Sequence, residues 1–414
     1  MKRLVRSPLM LMALTVFIDI TGFGLILPLL PFWAEHLGAN PFGVGLILTV
    51  YALAQFLFTP VLGSLSDRYG RRPVILVSLL IEAFSFVLTA LSGSLALLLV
   101  ARFIGGLGAS NIGSAQAVVA DVTPPEGRAR GMGMVGAAIG LGFVVGPALG
   151  GVLAGLGPEA PFWAAFAVAL ANALLVLRFL PETRKASATT DTGTRGHTGS
   201  ILTSRWGLLR SAPIARLIAI NLLFTMAFTA MEAVFPLFTQ HSYGWGAPQN
   251  GYIFTYVGVI IVLMQGGLVG RLVKRFGERT LMIAGLTLLA VGLLILPLGA
   301  QMGVLLLSLG LLSIGDGAAT PTTSALLSQV SPAGRQGETL GLAQGVGSLG
   351  RIVGPLAAGA LFAASGPGMP FIVGGALALV AAALALPALP DVPRMATPTT
   401  HDRAQEPVRE NSLV

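Results

Sequence analysis

The sequence has no cysteine and very little charge. Among 414 residues there are 25 Lys and Arg, 17 Asp and Glu, four His and no Cys. The absence of Cys excludes disulfide frameworks, thiolate metal sites and cysteine nucleophiles. The four histidines are far apart, which argues against a His-based metal centre, and they are His36, His197, His241 and His401. Charged residues are 10% of the chain, against about 25% in an ordinary soluble domain, so there is too little polar surface for a soluble protein.

Apolar runs of membrane-spanning length take the place of that charge. A helix needs about 20 apolar residues to cross a bilayer, and interruptions by charge or turn residues divide the chain into twelve such spans. The first begins like a secretory signal, but its apolar run continues to Trp33 without a small-residue cleavage site, so we interpret it as a membrane helix. The predicted spans are Leu9–Trp33, Val44–Leu62, Pro73–Leu91, Leu95–Ala120, Gly131–Leu156, Pro161–Leu180, Pro213–Phe238, Gly251–Leu272, Thr280–Leu298, Gly303–Val330, Leu340–Ala364 and Met369–Leu389.

The two halves of the chain repeat each other. Turn and helix residues of the first half recur 207 or 208 positions later, and half of 414 is 207. The recurring residues are Pro28, Gly63, Gly70, Pro124, Gly133, Gly142, Gly146 and Pro147, which match Pro236, Gly270, Gly277, Pro332, Gly341, Gly350, Gly354 and Pro355. The repeat predicts an all-α integral membrane protein of twelve helices in two parallel-related halves, with a substrate site between them.

These patterns divide the chain into four parts. We expect an N-terminal six-helix half at residues 1–183 and a C-terminal half at 213–390. Residues 184–212, rich in Ser, Thr and Gly, are predicted to be a mobile cytoplasmic linker, and residues 391–414 a disordered cytoplasmic tail. Lys and Arg concentrate in alternate loops, at the chain start and in the linker, which places both termini in the cytoplasm. The net charge of +8 is therefore a signature of topology in the plasma or inner membrane and gives no support to nucleic-acid binding.

One loop motif points to a family. The stretch from Gly63 to Pro73 reads Gly-Ser-Leu-Ser-Asp-Arg-Tyr-Gly-Arg-Arg-Pro, and it resembles the signature of the major facilitator superfamily, a resemblance that covers residues 8–390. It implies that Asp67 caps a helix of the opposite half and that Arg71 engages Asp121 at the end of helix 4, latching one conformation. The alternative is a loop that is basic only for topology. The expected latch consists of Gly63, Asp67, Arg68, Gly70, Arg71, Arg72 and Asp121.

A glycine pattern in the fifth span implies export. It resembles the antiporter signature of the proton-coupled exporters in that superfamily, with a partial echo in span 11. Glycines at these intervals allow close helix packing and the proline bends the helix; the alternative is generic packing in a chain with 54 Gly. The motif residues are Gly133, Gly142, Gly146, Pro147, Gly150 and Gly151.

Six charged residues fall inside spans. A charge at mid-membrane costs at least about 2.5–3.5 kcal/mol, so each must face a partner or a wet cavity. The family fold lines its cavity with helices 1, 4, 7 and 10, which carry four of the six. Alternatives stay open: Asp316 and Arg351 as a structural ion pair, Glu232 snorkelling to the outer surface, and Glu82 on a helix outside the cavity ring. The proton-coupling candidates are Asp19, Glu82, Arg102, Glu232, Asp316 and Arg351.

Polar and aromatic residues of the same helices are candidates for the substrate cavity, with core packing as the alternative. They are Phe23, Tyr51, Gln55, Asn111, Asn221, Phe228 and Tyr256. The resemblance is closest to tetracycline-type exporters, through Tyr51–Val74 and Ile104–Thr183. The membrane acids of that group in helices 3 and 9 align with Ser85 and Leu289 here, so the substrate does not follow from the resemblance.

The expected function is export of an amphiphilic small molecule, such as a tetracycline-like or other drug, in exchange for protons by rocking of two halves. A carboxyl group in a dry cavity holds its proton more tightly than in water, so proton and substrate can compete. We expect no cofactor beyond the proton gradient, a monomer in the lipid bilayer, and no nucleic-acid partner. An importer or uniporter on the same fold is the main alternative. A membrane-embedded enzyme is remote, since no nucleophile and base appear at helical spacing.

Overall fold

The computed structural model describes residues 8–123, 128–183, 208, 210–299, 301–332 and 335–387, and regular structure there is helical throughout. The predicted tail lies outside the described residues, as does almost all of the predicted linker. The α-helices are α1 Pro8–Ile26, α2 Leu30–His36, α3 Pro41–Tyr69, α4 Arg71–Ala90, α5 Leu95–Gly108, α6 Ile112–Val122, α7 Arg128–Ala154, α8 Ala160–Phe179, α9 Ala212–Tyr243, α10 Ala247–Leu263, α11 Val269–Phe276, α12 Glu278–Ile295, α13 Met302–Val330, α14 Gln336–Ser365 and α15 Met369–Ala385.

Twelve spans are confirmed in this architecture. Eleven helical stretches of the described chain are long and apolar enough to cross a membrane, and the shorter apolar helix Met369–Ala385 supplies the twelfth. Several helices are longer than predicted: α3 has 29 residues, or about 43 Å at 1.5 Å per residue, against a predicted Val44–Leu62. The hydrocarbon core is only about 30 Å thick, so polar helix ends continue beyond the apolar segment on which the prediction depended.

Three spans are interrupted. The first consists of α1 and α2, which are separated at Leu27–Leu29 around Pro28, because proline lacks the backbone N–H that would continue the helix. The fourth consists of α5 and α6 with a short 3₁₀ segment, Ala109–Asn111, between them. The eighth consists of α10 and α11 joined by a π-helical turn at Met264–Leu268. Such irregular turns inside membrane helices are tolerated where neighbouring protein satisfies the backbone.

The internal repeat extends to individual contacts. Arg72 Nη2 donates to Leu177 O at 2.5 Å, and Arg279, 207 positions later, donates through Nε to Ala385 O at 3.4 Å. Below we call the first six spans, residues 8–183, the N-half, and the last six, residues 210–387, the C-half.

The two halves meet at one end of the bundle. We call the end that holds Arg71 and Arg279 the basic face, and the end that holds the turns around Asn40 and Gly246 the charge-poor face. Near the charge-poor face α3 packs on α14: a Cβ built on Gly45 would lie 2.3 Å from Pro355 O, and Thr49 Oγ1 donates to Ile352 O at 2.8 Å. Close approach of two backbones is what glycine at such positions permits.

Toward the basic face the same helices separate. Along the stripe of α3 that continues from Gly45 and Thr49, the side chains of Leu57 and Val61 are 50% and 45% exposed. The second pair of helices between the halves, α7 and α10, behaves in the same way. The two helices are in contact from Gly151 to Gly140 of α7. Closer to the basic face they are apart, since a Cβ at Gly136 or Gly266 would meet nothing within 4 Å. The halves therefore close at the charge-poor face and open toward the basic face.

Candidate functional site

Three charged side chains are buried together inside the N-half. Asp19 of α1, Glu82 of α4 and Arg102 of α5 are 8%, 2% and 1% exposed. The carboxyl groups of Asp19 and Glu82 lie within hydrogen-bonding range of each other. Their Oδ1 and Oε2 atoms receive no donor from the part of the chain that the structure describes. Glu82, on a helix that we expected to lie outside the cavity ring, is thus the immediate neighbour of Asp19.

Glycines of α5 bring Arg102 to this position. A Cβ on Gly106 would lie 2.2 Å from Tyr51 O of α3, and one on Gly108 would lie 2.7 Å from Glu82 N of α4. A Cβ on Gly105 would lie 2.9 Å from Arg102 Nη2 itself. Only residues without a side chain allow α5 to approach both neighbours this closely.

Arg102 makes its best defined contact with an aromatic ring. Its guanidinium carbon lies 5.0 Å from the centroid of the Tyr51 ring, a cation–π distance, and Tyr51 stacks on Phe23 at 5.3 Å. Arg102 Nε and Nη2 have no hydrogen-bond acceptor among the described residues. Glu82 is nevertheless close enough to interact electrostatically with Arg102, so the cation partly balances the carboxyl pair.

This geometry has a direct chemical consequence. Two carboxyl groups can hydrogen-bond to each other only when one of them carries a proton. With no other donor on the pair's buried oxygens, the arrangement favours holding one proton between Asp19 and Glu82. Loss of that proton would leave two adjacent carboxylates beside a single guanidinium. The site is therefore suited to taking up and releasing a proton.

A second charged cluster lies in the C-half. Glu232 of α9 interacts electrostatically with Asp316 of α13 and Arg351 of α14. Arg351 Nη2 donates to Ser348 Oγ at 2.8 Å, and Asp316 accepts from Thr320 Oγ1 at 3.3 Å. All three of these charged side chains are only partly buried, whereas the three charged side chains of the N-half cluster are buried.

The geometry of this cluster decides two alternatives that the sequence left open, the Asp316–Arg351 ion pair and the snorkelling of Glu232. Asp316 and Arg351 do not form an ion pair within 4.0 Å in the described structure, so the structural ion pair is wrong; the carboxylate that attracts Arg351 belongs to Glu232. Glu232 faces these two charges and is not isolated at the outer surface, which removes the reason for it to snorkel.

Most polar cavity candidates already have backbone partners. Gln55 Nε2 donates to Ala109 O at 3.2 Å, Asn221 Nδ2 to Ala343 O at 3.0 Å, and Tyr256 Oη to Leu306 O at 3.1 Å. Phe228 packs against the C-half core. These contacts indicate structural roles, whereas Phe23 and Tyr51 adjoin the buried charges. The side chain of Asn111 lies outside the described residues.

The expected latch is half formed. Arg71 Nε lies 3.2 Å from Asp121 Oδ2, as predicted, and Arg71 Nη1 lies 2.5 Å from Asp67 Oδ1, a contact that the sequence analysis did not predict. Asp67 is 67% exposed and contacts no helix of the C-half among the described residues, so the predicted cap is not made in this state. The halves are apart at this face, which removes the helix that Asp67 would cap. Arg68 lies over the Tyr69 ring at 5.3 Å, and a Cβ on Gly63 would meet nothing within 4 Å.

Sequence reasoning missed Glu182. Its carboxylate accepts from the backbone N–H groups of Arg71 and Arg72 at 2.9 and 3.2 Å, and thus caps the N-terminus of α4. Gly70, with φ of +108°, makes the turn, and a Cβ there would lie 2.5 Å from Glu182 Oε2. The position of Glu182 after Pro181, at the end of the sixth span, gave no signal that it faces a loop more than 100 residues earlier.

The antiporter glycines divide between two interfaces. Gly142, Gly146 and Gly150 face α1, where added Cβ atoms would lie 2.8 Å from Ile20 Cβ, 2.7 Å from Gly24 Cα and 2.2 Å from Leu25 O. Gly151 faces α10 of the C-half, 2.9 Å from Pro248 O by the same measure. The remaining motif residues differ: Pro147 packs beside Gly24 of α1, and a Cβ on Gly133 would meet nothing within 4 Å.

Within the described residues, no group of three or more His, Cys, Asp or Glu side chains is arranged to hold a metal ion. The charged clusters each combine two carboxyl groups with a guanidinium, an arrangement suited to proton or organic-ion exchange.

Comparison with known proteins agrees with this architecture. The family model of the Major Facilitator Superfamily matches residues 12–274 and 266–412. The chain is 33% identical to tetracycline resistance protein, class C, of Escherichia coli over 381 residues, 91% of this chain and 94% of that protein. It is 30% identical to multidrug resistance protein 2 of Bacillus subtilis (strain 168) over 350 residues, 84% of this chain and 86% of that protein.

A solved structure extends the agreement to three dimensions. The crystal structure of the human organic anion transporter MFSD10 matches with a TM-score of 0.69 and 28% identity, over 92% of this chain and 99% of that chain. The fold, the loop motif and the relatives lead to one conclusion. The chain belongs to the major facilitator superfamily and is of its drug-exporter type.

Proposed function

We propose that the protein is a proton-coupled antiporter that exports amphiphilic small molecules across the cell membrane by alternating access. The observation that carries the proposal is the Asp19–Glu82 pair, which is buried in the N-half and whose Oδ1 and Oε2 atoms receive no donor from the described residues. A site of this kind can bind one proton and release it when a substrate or a conformational change alters its surroundings.

The direction of transport rests on the arrangement of charges at the membrane surfaces. Arg and Lys concentrate at the basic face, which by the positive-inside rule is the cytoplasmic one. The opening between α3 and α14 then faces the cytoplasm, where an exporter takes up its substrate. The antiporter glycines at the α7–α1 and α7–α10 contacts support export, as do relatives named for tetracycline and multidrug resistance.

In this proposal the two halves have different roles. The N-half holds the proton at Asp19 and Glu82, while Glu232, Asp316 and Arg351 of the C-half line the opening and contact the substrate. Substrate uptake from the cytoplasm is coupled to proton release on that side, and rocking of the halves then exposes the site to the opposite face.

Proton-coupled export is tested in inside-out membrane vesicles energised to an acidic interior. Tetracycline and ethidium serve as probes, and a pH-sensitive dye reports the gradient. We expect the addition of a transported probe to dissipate part of the gradient in vesicles that contain the protein and to leave control vesicles unchanged. Probe transport without any change of pH would contradict proton coupling.

An importer on the same fold remains the second candidate, since the fold itself is shared by transporters of either direction. An importer predicts a different result, which is uptake of a solute into right-side-out vesicles driven by an inward proton gradient. Such uptake, with no probe-dependent signal in inside-out vesicles, would replace export with import.

A further inference from the structure

A ring of buried polar side chains lies next to the Asp19–Glu82 pair. Thr15, Ser78, Ser114 and Asn172 belong to four different helices of the N-half and are at most 2% exposed. Thr15 Oγ1, Ser78 Oγ, Ser114 Oγ and Asn172 Oδ1 have no hydrogen-bond partner among the described residues. We call these four residues the polar ring.

The four side chains share one depth in the bundle. Thr15 is seven residues from the basic-face end of α1 at Pro8, Ser78 seven from Arg71, Asn172 seven from Phe179, and Ser114 eight from Val122. At 1.5 Å per residue this is about 10–12 Å. Their helices pack on one another in this part of the N-half, and Asn172 Nδ2 donates to Thr15 O at 2.9 Å.

Layers above and below the ring define its surroundings. Four residues further into the membrane on α1 and α4 stand Asp19 and Glu82, on the same helix faces as Thr15 and Ser78. One turn toward the basic face on all four helices is an apolar layer, and its members are at most 1% exposed: Leu11, Ile75, Val118 and Val176. The ring is therefore closed by apolar side chains on one side and adjoins the carboxyl pair on the other.

Most hydroxyl groups of the described membrane helices have a carbonyl partner, and those of the ring do not. Inside membrane helices Ser and Thr usually donate to the carbonyl four residues earlier, as Thr21 does to Phe17 O at 2.7 Å and Thr89 to Ser85 O at 2.8 Å. Thr15, Ser78 and Ser114 do not. A buried polar group without a partner costs about 1–3 kcal/mol, and buried water is the usual means of satisfying such groups.

We propose that the polar ring binds internal water, and that this water hydrates Asp19 and Glu82 when their shared proton leaves. Deprotonation places two carboxylates side by side, and among the described residues Arg102 is the one neighbouring cation and no donor reaches Asp19 Oδ1 or Glu82 Oε2. Water held by the ring supplies those donors, while the apolar layer prevents the same water from continuing to the basic face. The proposal deepens the proposed function, because it concerns the same proton site.

The other charged and titratable groups near the pair are few. Tyr51 faces it from α3 and Arg102 from α5. The described side chains of α6, α7 and α8 add no charged group at this depth, since Asp121 and Arg178 stand at the basic-face ends of their helices. A change in titration after substitution of the ring is therefore attributable to lost hydration and not to a lost charge.

The test uses substitutions that remove a hydroxyl and conserve shape: Thr15→Val, Ser78→Ala and Ser114→Ala. The matched controls are Thr21→Val on α1 and Thr89→Val on α4, which are also buried but whose hydroxyls already have carbonyl partners. Purified full-length protein is titrated with pH while infrared difference spectroscopy follows the C=O band of protonated carboxyl groups. The band of the pair is identified by its loss in Asp19→Asn and Glu82→Gln.

Each ring substitution removes a donor from the deprotonated form, so we expect proton release at a pH about one unit higher than in the wild type. The controls should titrate like the wild type. A second readout is the O–H band of buried water, which shifts in H₂¹⁸O and should weaken in Ser78→Ala.

Ring variants that titrate like the controls would overturn the water site, even if they lower the melting temperature, because a packing role predicts that loss alone. The titration requires no transport. The two proposals can therefore fail separately. If the ring variants shift the midpoint of the titration but the protein shows no proton coupling in the vesicle assay, proton-coupled export is contradicted and the water site is supported.

Discussion

At the scale of single residues, the two halves carry the same set of charges in different surroundings. Each has two carboxyl groups and one guanidinium inside the membrane. Asp19, Glu82 and Arg102 are sealed in the N-half, whereas Glu232, Asp316 and Arg351 are only partly buried. A sealed site favours a small ion such as a proton, and a more open one can contact a larger ligand. The difference in burial underlies the separate roles proposed for the halves.

Asp19→Asn should abolish proton-coupled export and leave expression near the wild-type level. An amide cannot exchange the proton, and its N–H donates to Glu82, so the pair loses its ability to take up and release one. The measurement is substrate-induced proton release by purified protein, followed with a pH-sensitive dye. Glu159→Gln, which changes an exposed carboxylate of a loop, is the control and should behave like wild type. Intact proton release in Asp19→Asn would contradict the assignment.

Glu232→Gln should selectively weaken export of cationic compounds and spare neutral ones. The C-half cluster has two carboxylates and one guanidinium, so with both acids ionised it carries one net negative charge that can attract a cation. The substitution removes one of the two negative charges and brings the net charge of the cluster to zero. The measurement compares efflux of ethidium with efflux of a neutral probe of similar size.

The other outcomes for Glu232→Gln are equally informative. Wild-type export of both probes would show that the carboxylate has no role in selectivity. An equal loss of both would assign Glu232 to proton coupling. The isosteric change keeps the volume of the side chain, so general misfolding is excluded by an unchanged melting temperature.

At the scale of helices, the packing of α7 against α1 depends on glycines at intervals of four residues. The antiporter pattern places Gly142, Gly146 and Gly150 along one stripe, and all three face α1. In lipid there is no hydrophobic driving force between helices, so close van der Waals contact of this kind holds the pair together. The motif thus has a packing role in this structure that is independent of any role in transport direction.

Gly150→Ala should destabilise the N-half. A Cβ there would lie 2.2 Å from Leu25 O, a backbone atom that cannot move without shifting α1, so we expect a loss of about 1–3 kcal/mol. Gly133→Ala, in the same motif but with nothing within 4 Å, is the matched control and should be neutral or stabilising by up to about 1 kcal/mol. Thermal unfolding of the purified proteins measures both, and equal melting temperatures would contradict the packing argument.

At the scale of the whole molecule, the halves touch at the charge-poor face and separate toward the basic face. The contacts of Gly45 with Pro355 and of Gly151 with Pro248 join them. Arg71 keeps its partners within the N-half, while Asp67 is free of the C-half. This is the arrangement expected when the latch between the halves is open.

Asp67→Asn or Arg71→Ala should shift the balance of conformations and leave substrate affinity within one state unchanged. The cap by Asp67 is made only when the basic face is closed and stabilises that state alone, so its loss lowers the closed population. Arg71 acts through Asp67, which it already holds in an ion pair. The absence of native Cys permits a direct measurement: a Val61→Cys, Gly341→Cys pair on α3 and α14 should cross-link when the basic face closes. We expect less cross-linking in either latch variant.

The control for the latch is Ser64→Ala, a change at an exposed residue of the same motif near the end of α3, whose hydroxyl donates to Val61 O of its own helix. It should cross-link like the unsubstituted pair. Unchanged cross-linking in Asp67→Asn together with weaker substrate binding would point instead to a binding role for the motif.

Much of this protein follows from the sequence alone. Scarce charge and twelve apolar runs determine a membrane protein of helices, because a bilayer leaves the backbone no other way to satisfy its hydrogen bonds locally. The repeat of Pro28 as Pro236 and of Gly63 as Gly270 determines two related halves. The contact of Arg71 with Asp121, 50 positions away, was predicted because the loop motif resembles a family signature that implies it.

Only the tertiary structure decided which distant residues meet. Spacing along the chain gave no reason to pair Asp19 with Glu82, 63 positions away (82 − 19), or to place Glu182 on the N-terminus of α4. It did not reveal that Asp67 is detached, because a latch depends on the relative positions of the halves. The burial that separates the N-half charges from those of the C-half has the same origin. It depends on how closely the glycines of α5 and α7 allow their neighbours to approach, and that distance is a property of packing in three dimensions.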